Sequence, residues 1–168
     1  RGLGHFDDAS LIHALALPPL DEQTWCPMDT ALLDEYNRYY GLQFDGVKRH
    51  LALIEGAGER ITLQAFVPNH HEVRAWAIVC HGYYDHVGLY GHLIDDLLER
   101  GIAVMSFDQP GHGLSTGDRA NIDDFQQYVD VIRVVHKFAA KSAGDKPLHW
   151  FGQSMGGALV MEYWRQHA

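Results

Sequence analysis

Apolar residues change their spacing several times along the chain, and each change marks a new element. Residues 1–28 hold no sustained period and carry Pro18, Pro19 and Pro27, which predicts an irregular arm. From Asp29 the spacing becomes helical. Leu32, Leu33, Tyr36, Tyr39 and Tyr40 share a face, and Gly41 is placed to stop the helix. Two strands follow: Val47 to Ile54, then a stretch in which Ile61, Leu63, Ala65 and Val67 alternate with Thr62, Gln64 and Phe66. The link Gly56-Ala57-Gly58 predicts an antiparallel hairpin between them. Beyond Pro68, Ala75-Trp76-Ala77-Ile78-Val79-Cys80 is a continuous apolar run, as a strand buried on both faces requires.

Leu89, Leu93, Ile94, Leu97 and Leu98 then predict a helix ended by Gly101, and Ile102 to Phe107 predicts a second buried strand. A long helix comes next, with Asn121 as N-cap and Ile122, Phe125, Val129, Ile132 and Ala139 inward, stopping near Gly144 ahead of Pro147. Leu148-His149-Trp150-Phe151 predicts a third buried strand. A last helix carries Ala158, Leu159, Val160, Tyr163 and Trp164. Strands alternating with helices imply an α/β fold: a mainly parallel sheet, helices on both faces, and the hairpin at one edge. Neither an internal repeat nor a low-complexity segment interrupts this order.

Each of the three buried strands runs into a turn that carries glycine, at the carboxyl ends where open α/β sheets build their sites. The first turn is His81-Gly82-Tyr83-Tyr84-Asp85-His86 and the second is Asp108-Gln109-Pro110-Gly111-His112-Gly113-Leu114-Ser115. The third is Gly152-Gln153-Ser154-Met155-Gly156-Gly157, a serine at the apex of a sharp strand-to-helix turn. Such a turn strains the apical residue, so the positions two away must be small, and Gly152 and Gly156 meet that demand.

Composition narrows the chemistry. With 168 residues, 46% hydrophobic and 21% charged, the chain has enough apolar mass for one domain with a core. A formal net charge of -9 disfavours nucleic acid and docking on anionic lipid. The longest apolar stretch, Leu11 to Leu17, is far short of the ~20 residues of a membrane span. Cys26 and Cys80 form neither a disulfide framework nor a CxxC pair, and Cys80 reads as a small buried hydrophobe. His70-His71-Glu72 lacks the spacing of a metal site, and Gly111-His112-Gly113 lacks the third glycine of a dinucleotide fingerprint. No metal and no cofactor are therefore expected. The chain opens on Arg1, so a removed leader stays open beside the default expectation of the cytoplasm.

The three turns together resemble the α/β-hydrolase superfamily, and within it the monoacylglycerol lipase and lysophospholipase-like branch. The resemblance covers about residues 45 to 168. It implies a serine hydrolase that cleaves carboxylic esters with one acyl chain through an acyl-enzyme. Ser154 matches the nucleophile, and the backbone N–H groups of Met155 and Tyr83 match the oxyanion hole. His81, Gly82, Asp108 and His112 match positions that brace the loops, as does His86. The paired tyrosines Tyr83 and Tyr84 depart from the small residues common in the branch and add bulk beside the acyl entrance.

A nucleophilic serine needs a base and an acid, which in this fold follow it in the chain. Only Glu162 and His167 follow Ser154, and His167 lies roughly 20 Å along the same helix. The expectation is therefore an arm and helix over residues 1–44, then the N-terminal half of a hydrolase domain over 45–168. Acid, base and lid would come from sequence beyond residue 168, in a C-terminal half that is this chain's partner within the domain. A related serine aminopeptidase and a non-catalytic binding module on the same scaffold are the other readings.

Overall fold

The computed structural model describes residues 26–27 and 31–168, with side chains from Asp34 onward. The expected arm therefore lies outside the described residues, apart from strand β1 at Cys26–Pro27. Helix α1 spans Ala31–Tyr40 and ends at Gly41, whose φ of 67° is open to glycine at little cost. Strands β2 (Val47–Gly56) and β3 (Glu59–Pro68) form the expected antiparallel hairpin. Strand β4 (Ala75–Cys80) leads through a single 3₁₀ turn at Val87–Tyr90 into helix α2 (Gly91–Glu99). Strand β5 (Ile102–Phe107), helix α3 (Phe125–Ala143), strand β6 (Leu148–Gly152) and helix α4 (Met155–His167) complete the order.

The six strands form one mixed sheet in the order β1-β2-β3-β5-β4-β6. The pairs β4–β5 and β4–β6 are parallel, while β3 meets β5 antiparallel and carries the hairpin at that edge. Two cores lie on opposite faces. Ile61, Leu63, Ile78, Met105 and Phe107 pack with Val129, Ile132 and Leu159 beneath α3 and α4. Phe66, Val79 and Val104 pack with Tyr36, Ile94, Leu97 and Leu98 beneath α1 and α2. The alternation along β4, with Ile78 to one core and Val79 to the other, is the two-residue period of a strand covered on both sides.

Several expectations are corrected. The alternation along β3 does not separate a buried from an exposed face: Thr62, Gln64 and Phe66 are as buried as their apolar neighbours. Gln64 is held by the Arg49 guanidinium at 2.8 Å and donates to the Tyr36 hydroxyl at 3.3 Å, so its burial leaves no amide unpaired. The cap of α3 is Asp124, whose carboxylate accepts the Gln126 N–H at 2.9 Å, and Asn121 and Ile122 lie in the turn before it. Phe125 and Tyr39, expected inward, are 45% and 44% exposed. Leu89 is exposed on the 3₁₀ turn, ahead of α2. β6 lies at the sheet edge among the described residues, with His149 and Phe151 exposed. No helix among the described residues is long and apolar enough to cross a membrane.

Candidate active site

The loops after β4, β5 and β6 meet at the carboxyl end of the parallel strands. Ser154, between β6 and α4, has φ 53° and ψ −114°, a backbone region that an L-residue occupies only when its surroundings force it. The force is steric. A Cβ on Gly156 would stand 2.2 Å from the carbonyl oxygen of Cys80 and 2.7 Å from that of His81. One on Gly152 would stand 2.5 Å from the Cα of Gly157. With no side chains there, the first turn of α4 presses onto the end of β4, and the chain must reverse within Gln153 and Ser154. The Gln153 N–H donates to Cys80 O at 3.1 Å and ties the turn to β4. Ser154 stands exposed at the apex.

Gly82 lies against this turn: a Cβ on it would be 3.6 Å from Ser154 Cβ. The N–H groups around it are nearly all occupied. That of Gly82 donates to the Tyr90 hydroxyl at 3.2 Å, that of Tyr84 to His112 Nε2 at 3.2 Å, and that of Asp85 to Gly82 O at 3.1 Å. Among the described residues the Tyr83 N–H has no acceptor, and neither has the Met155 N–H at the first position of α4. The Tyr83 side chain reaches away and donates to Ala120 O at 2.6 Å, while its ring meets Tyr84 edge-on at 4.3 Å. Tyr83 and Tyr84 are 46% and 70% exposed.

The bracing residues act through backbone groups. His81 Nε2 accepts the Gln109 N–H at 2.9 Å, so Nδ1 carries the hydrogen and donates to Gly82 O at 2.7 Å. His112 repeats the pattern, accepting at Nε2 and donating from Nδ1 to Pro110 O at 2.9 Å. Both rings are thus fully engaged. His86 accepts the Gly88 N–H on Nδ1 at 3.1 Å and caps the 3₁₀ turn. Asp108 is buried and holds the Val87 N–H on one oxygen at 2.8 Å and the Leu114 N–H on the other at 2.9 Å. Gly113, at φ 48°, leaves room for that carboxylate, which a Cβ would approach to 2.4 Å.

Burial is the dominant electrostatic influence. It lowers the His81 pKa to about 4, with His112 adding to the effect, and it lowers that of His86. It raises that of Asp108 against the opposing pull of His86 and the two N–H donors. It also pushes the Cys80 thiol up, away from reactivity. Glu162 and His167 are engaged on their own helix. Hydrogen bonds from Arg165 and Gln166 hold the Glu162 carboxyl well below its usual range, and His167 Nδ1 donates to Tyr163 O at 2.7 Å. Among the described residues no group of three His, Cys, Asp or Glu side chains gathers as a metal site. Sequence reasoning missed two contributors: the Tyr90 hydroxyl, and Thr62, whose N–H donates to Ser115 Oγ at 2.9 Å and whose hydroxyl donates to Leu114 O at 3.0 Å. A polar residue flanked by Ile61 and Leu63 was the available signal for Thr62. Nothing marked Tyr90 apart from a core aromatic.

Residues 71–168 match the family described as serine aminopeptidase, S33. The chain belongs to this α/β-hydrolase family. Its curated relatives include monoacylglycerol lipases. It is 32% identical over 106 residues to a monoacylglycerol lipase of Mycolicibacterium smegmatis, covering 63% of this chain and 38% of that protein. It is 38% identical over 87 residues to the monoglyceride lipase of Mus musculus, covering 51% of this chain and 28% of that protein. The matched segments thus cover about a third of the length of these relatives. A soluble variant of the Saccharomyces cerevisiae monoglyceride lipase shares the fold with a TM-score of 0.57 and 18% identity, over 88% of this chain and 40% of that one.

Two outcomes follow from this geometry. In the full-length protein Gly156→Ala should destabilise the fold by about 3 kcal/mol or more, since its Cβ meets backbone carbonyls that cannot move aside. Gly157→Ala, whose Cβ would lie 3.2 Å from Gly152 O, should cost far less, and urea midpoints compare the two. The second outcome concerns pH. His81 protonates near 6.5 when unfolded and near 4 when folded, so the unfolded chain binds the extra proton in that window. Its stabilising contribution is complete above pH 6.5 and is lost as the pH falls toward 4, by up to about 3 kcal/mol. His81→Asn should flatten this part of the stability curve.

Proposed function

We propose that this chain supplies the nucleophile and the oxyanion hole of a serine hydrolase acting on carboxylic esters with one acyl chain. Monoacylglycerols and lysophospholipids are the substrates that fit the branch. The observation that carries the reading is Ser154 at positive φ, exposed at the apex, with an open helix N-terminus directly behind it. The names of the mycobacterial and mouse relatives point to the same substrate class.

In this reading Ser154 Oγ loses its proton to a base and attacks the ester carbonyl carbon, whose π electrons move onto oxygen. That oxygen lies between the Tyr83 and Met155 N–H groups. Both are free of internal acceptors, and the Met155 donor sits at the positive end of α4. A donor of this kind contributes ~3 kcal/mol to the transition state, because the charge it meets forms only there. Collapse breaks the ester C–O bond, the departing alkoxide takes the proton from the base, and water repeats the sequence to release the acid. Acid and base are assigned to the domain's C-terminal half, since Glu162 and His167 are committed on α4 and the matched segments cover only 38% and 28% of the two relatives. The family's description favours a second reading, hydrolysis of a peptide amide at an N-terminus, through the same serine.

A fluorophosphonate probe should label the full-length protein at Ser154. Ser154→Ala should abolish labelling and lower ester turnover about a thousandfold or more without shifting the melting temperature. Retention of a tenth of wild-type turnover would refute the nucleophile. Across p-nitrophenyl esters, linear acyl groups should be cleaved faster than branched ones, because this reading sets the exposed ring of Tyr84 beside the acyl entrance. Tyr84→Ala should shrink that preference, and cleavage of aminoacyl amides without any ester cleavage would favour the peptidase reading.

A further inference from the structure

Tyr90, at the end of the 3₁₀ turn, returns its hydroxyl to the loop after β4. The hydroxyl accepts the Gly82 N–H at 3.2 Å and donates to Asp85 Oδ2 at 2.9 Å. Because its hydrogen goes to the carboxylate, a lone pair stays turned toward Gly82. The next peptide unit is held from its other end, where Gly82 O receives both His81 Nδ1–H at 2.7 Å and the Asp85 N–H at 3.1 Å. In a trans peptide the C=O and N–H point in opposite directions. Two donors on Gly82 O therefore aim the Tyr83 N–H away from themselves.

Gly82 is the soft joint in this arrangement. A side chain there would crowd Asp85 Oδ2 at 3.0 Å and Gln153 O at 3.1 Å, which suits glycine, the residue whose backbone turns most freely. Holding the carbonyl alone leaves rotation about the Gly82 N–Cα bond unrestrained. Tyr90 supplies the missing restraint on the N–H side. Burial raises its pKa to about 12, so the hydroxyl keeps its proton at neutral pH.

We infer that Tyr90 is a positioning residue of the oxyanion hole: its hydroxyl clamps Gly82 to Asp85 and keeps the Tyr83 N–H aimed at the substrate's carbonyl oxygen. The inference rests on the roles proposed above for Ser154 and Tyr83. It assigns Asp85 a role as well, as the acceptor that orients the Tyr90 hydroxyl.

The experiment compares wild-type full-length protein with Tyr90→Phe on a p-nitrophenyl ester and on the matching thionoester, whose sulfur is a weak hydrogen-bond acceptor. On the ester, kcat should fall roughly ten- to a hundredfold with KM within about twofold, somewhat less than deletion of a whole donor. On the thionoester the defect should shrink to about threefold or less, because little oxyanion stabilisation remains to lose. An equal defect on both substrates, a change confined to KM, or an ester kcat within about twofold of wild type would each overturn the inference. If Tyr90→Phe does not fold, Asp85→Ala carries the same comparison, and Asp85→Asn, which keeps an acceptor, should recover most of the lost kcat. Fluorophosphonate labelling separates the two levels. A wild-type protein unlabelled at Ser154 removes the underlying reading, whereas a labelled wild type with an unimpaired Tyr90→Phe removes only the clamp.

Discussion

The contact between the first turn of α4 and the end of β4 governs the geometry of everything around Ser154. Gly156 lies on the carbonyl oxygens of Cys80 and His81 with no space for a methyl group. From that approach follow the reversal at Gln153, the positive φ of Ser154, and the exposure of the Met155 N–H at the start of a helix. The strain at Ser154 is of order 1–3 kcal/mol. It is offset further along the same helix, where Leu159 and Tyr163 are buried in one core with Ile78 and Cys80. The apex can be strained because its helix is anchored elsewhere.

A second constraint sets the loops on which that apex rests. A buried carboxylate costs several kcal/mol unless its oxygens are occupied, and both oxygens of Asp108 are. The two N–H groups it holds belong to different loops, Val87 after β4 and Leu114 after β5, so the demand of one charge for partners fixes two segments at once. Thr62 and Ser115 then tie the β5 loop back to β3, with Ser115 Oγ donating to Asp108 O at 2.6 Å. Through these bonds the edge hairpin, distant from Ser154 in sequence, helps to set the height of the loops beside it.

How much of this could be read from the residues depended on how local each cause was. The serine turn was legible because its requirement, two small residues at fixed distances from an apex, is satisfied within six positions. β4 and β5 were legible because burial on both faces leaves a continuous apolar run. The burial of both faces of β3 was not legible because Thr62 and Gln64 are polar yet buried, their partners coming from the loop at 114–115 and from Arg49 and Tyr36. Capping at Asn121 and capping at Asp124 are equally good on chemistry alone. The turn in which the Asn121 N–H donates to Asp118 O at 3.1 Å moved the start of α3 three residues on. Tyr90 was invisible for a related reason: a tyrosine whose hydroxyl acts on a loop eight residues away has the same sequence signature as a core aromatic.

The histidines show why this loop system is built from neutral rings. His81 and His112 each accept a backbone N–H on Nε2 and donate from Nδ1 to a backbone carbonyl, so each joins two strands of chain. Lysine or arginine could supply the donor but never the acceptor, and a carboxylate the acceptor but never the donor. Protonation would remove the lone pair that accepts and leave a desolvated charge, and burial selects the neutral form of His81 against the opposing pull of the Gly82 carbonyl. The consequence reaches the proposed chemistry. With the rings committed to bracing, the groups left to meet a developing oxyanion are backbone N–H dipoles. Those keep their strength across the pH range in which the loops themselves hold.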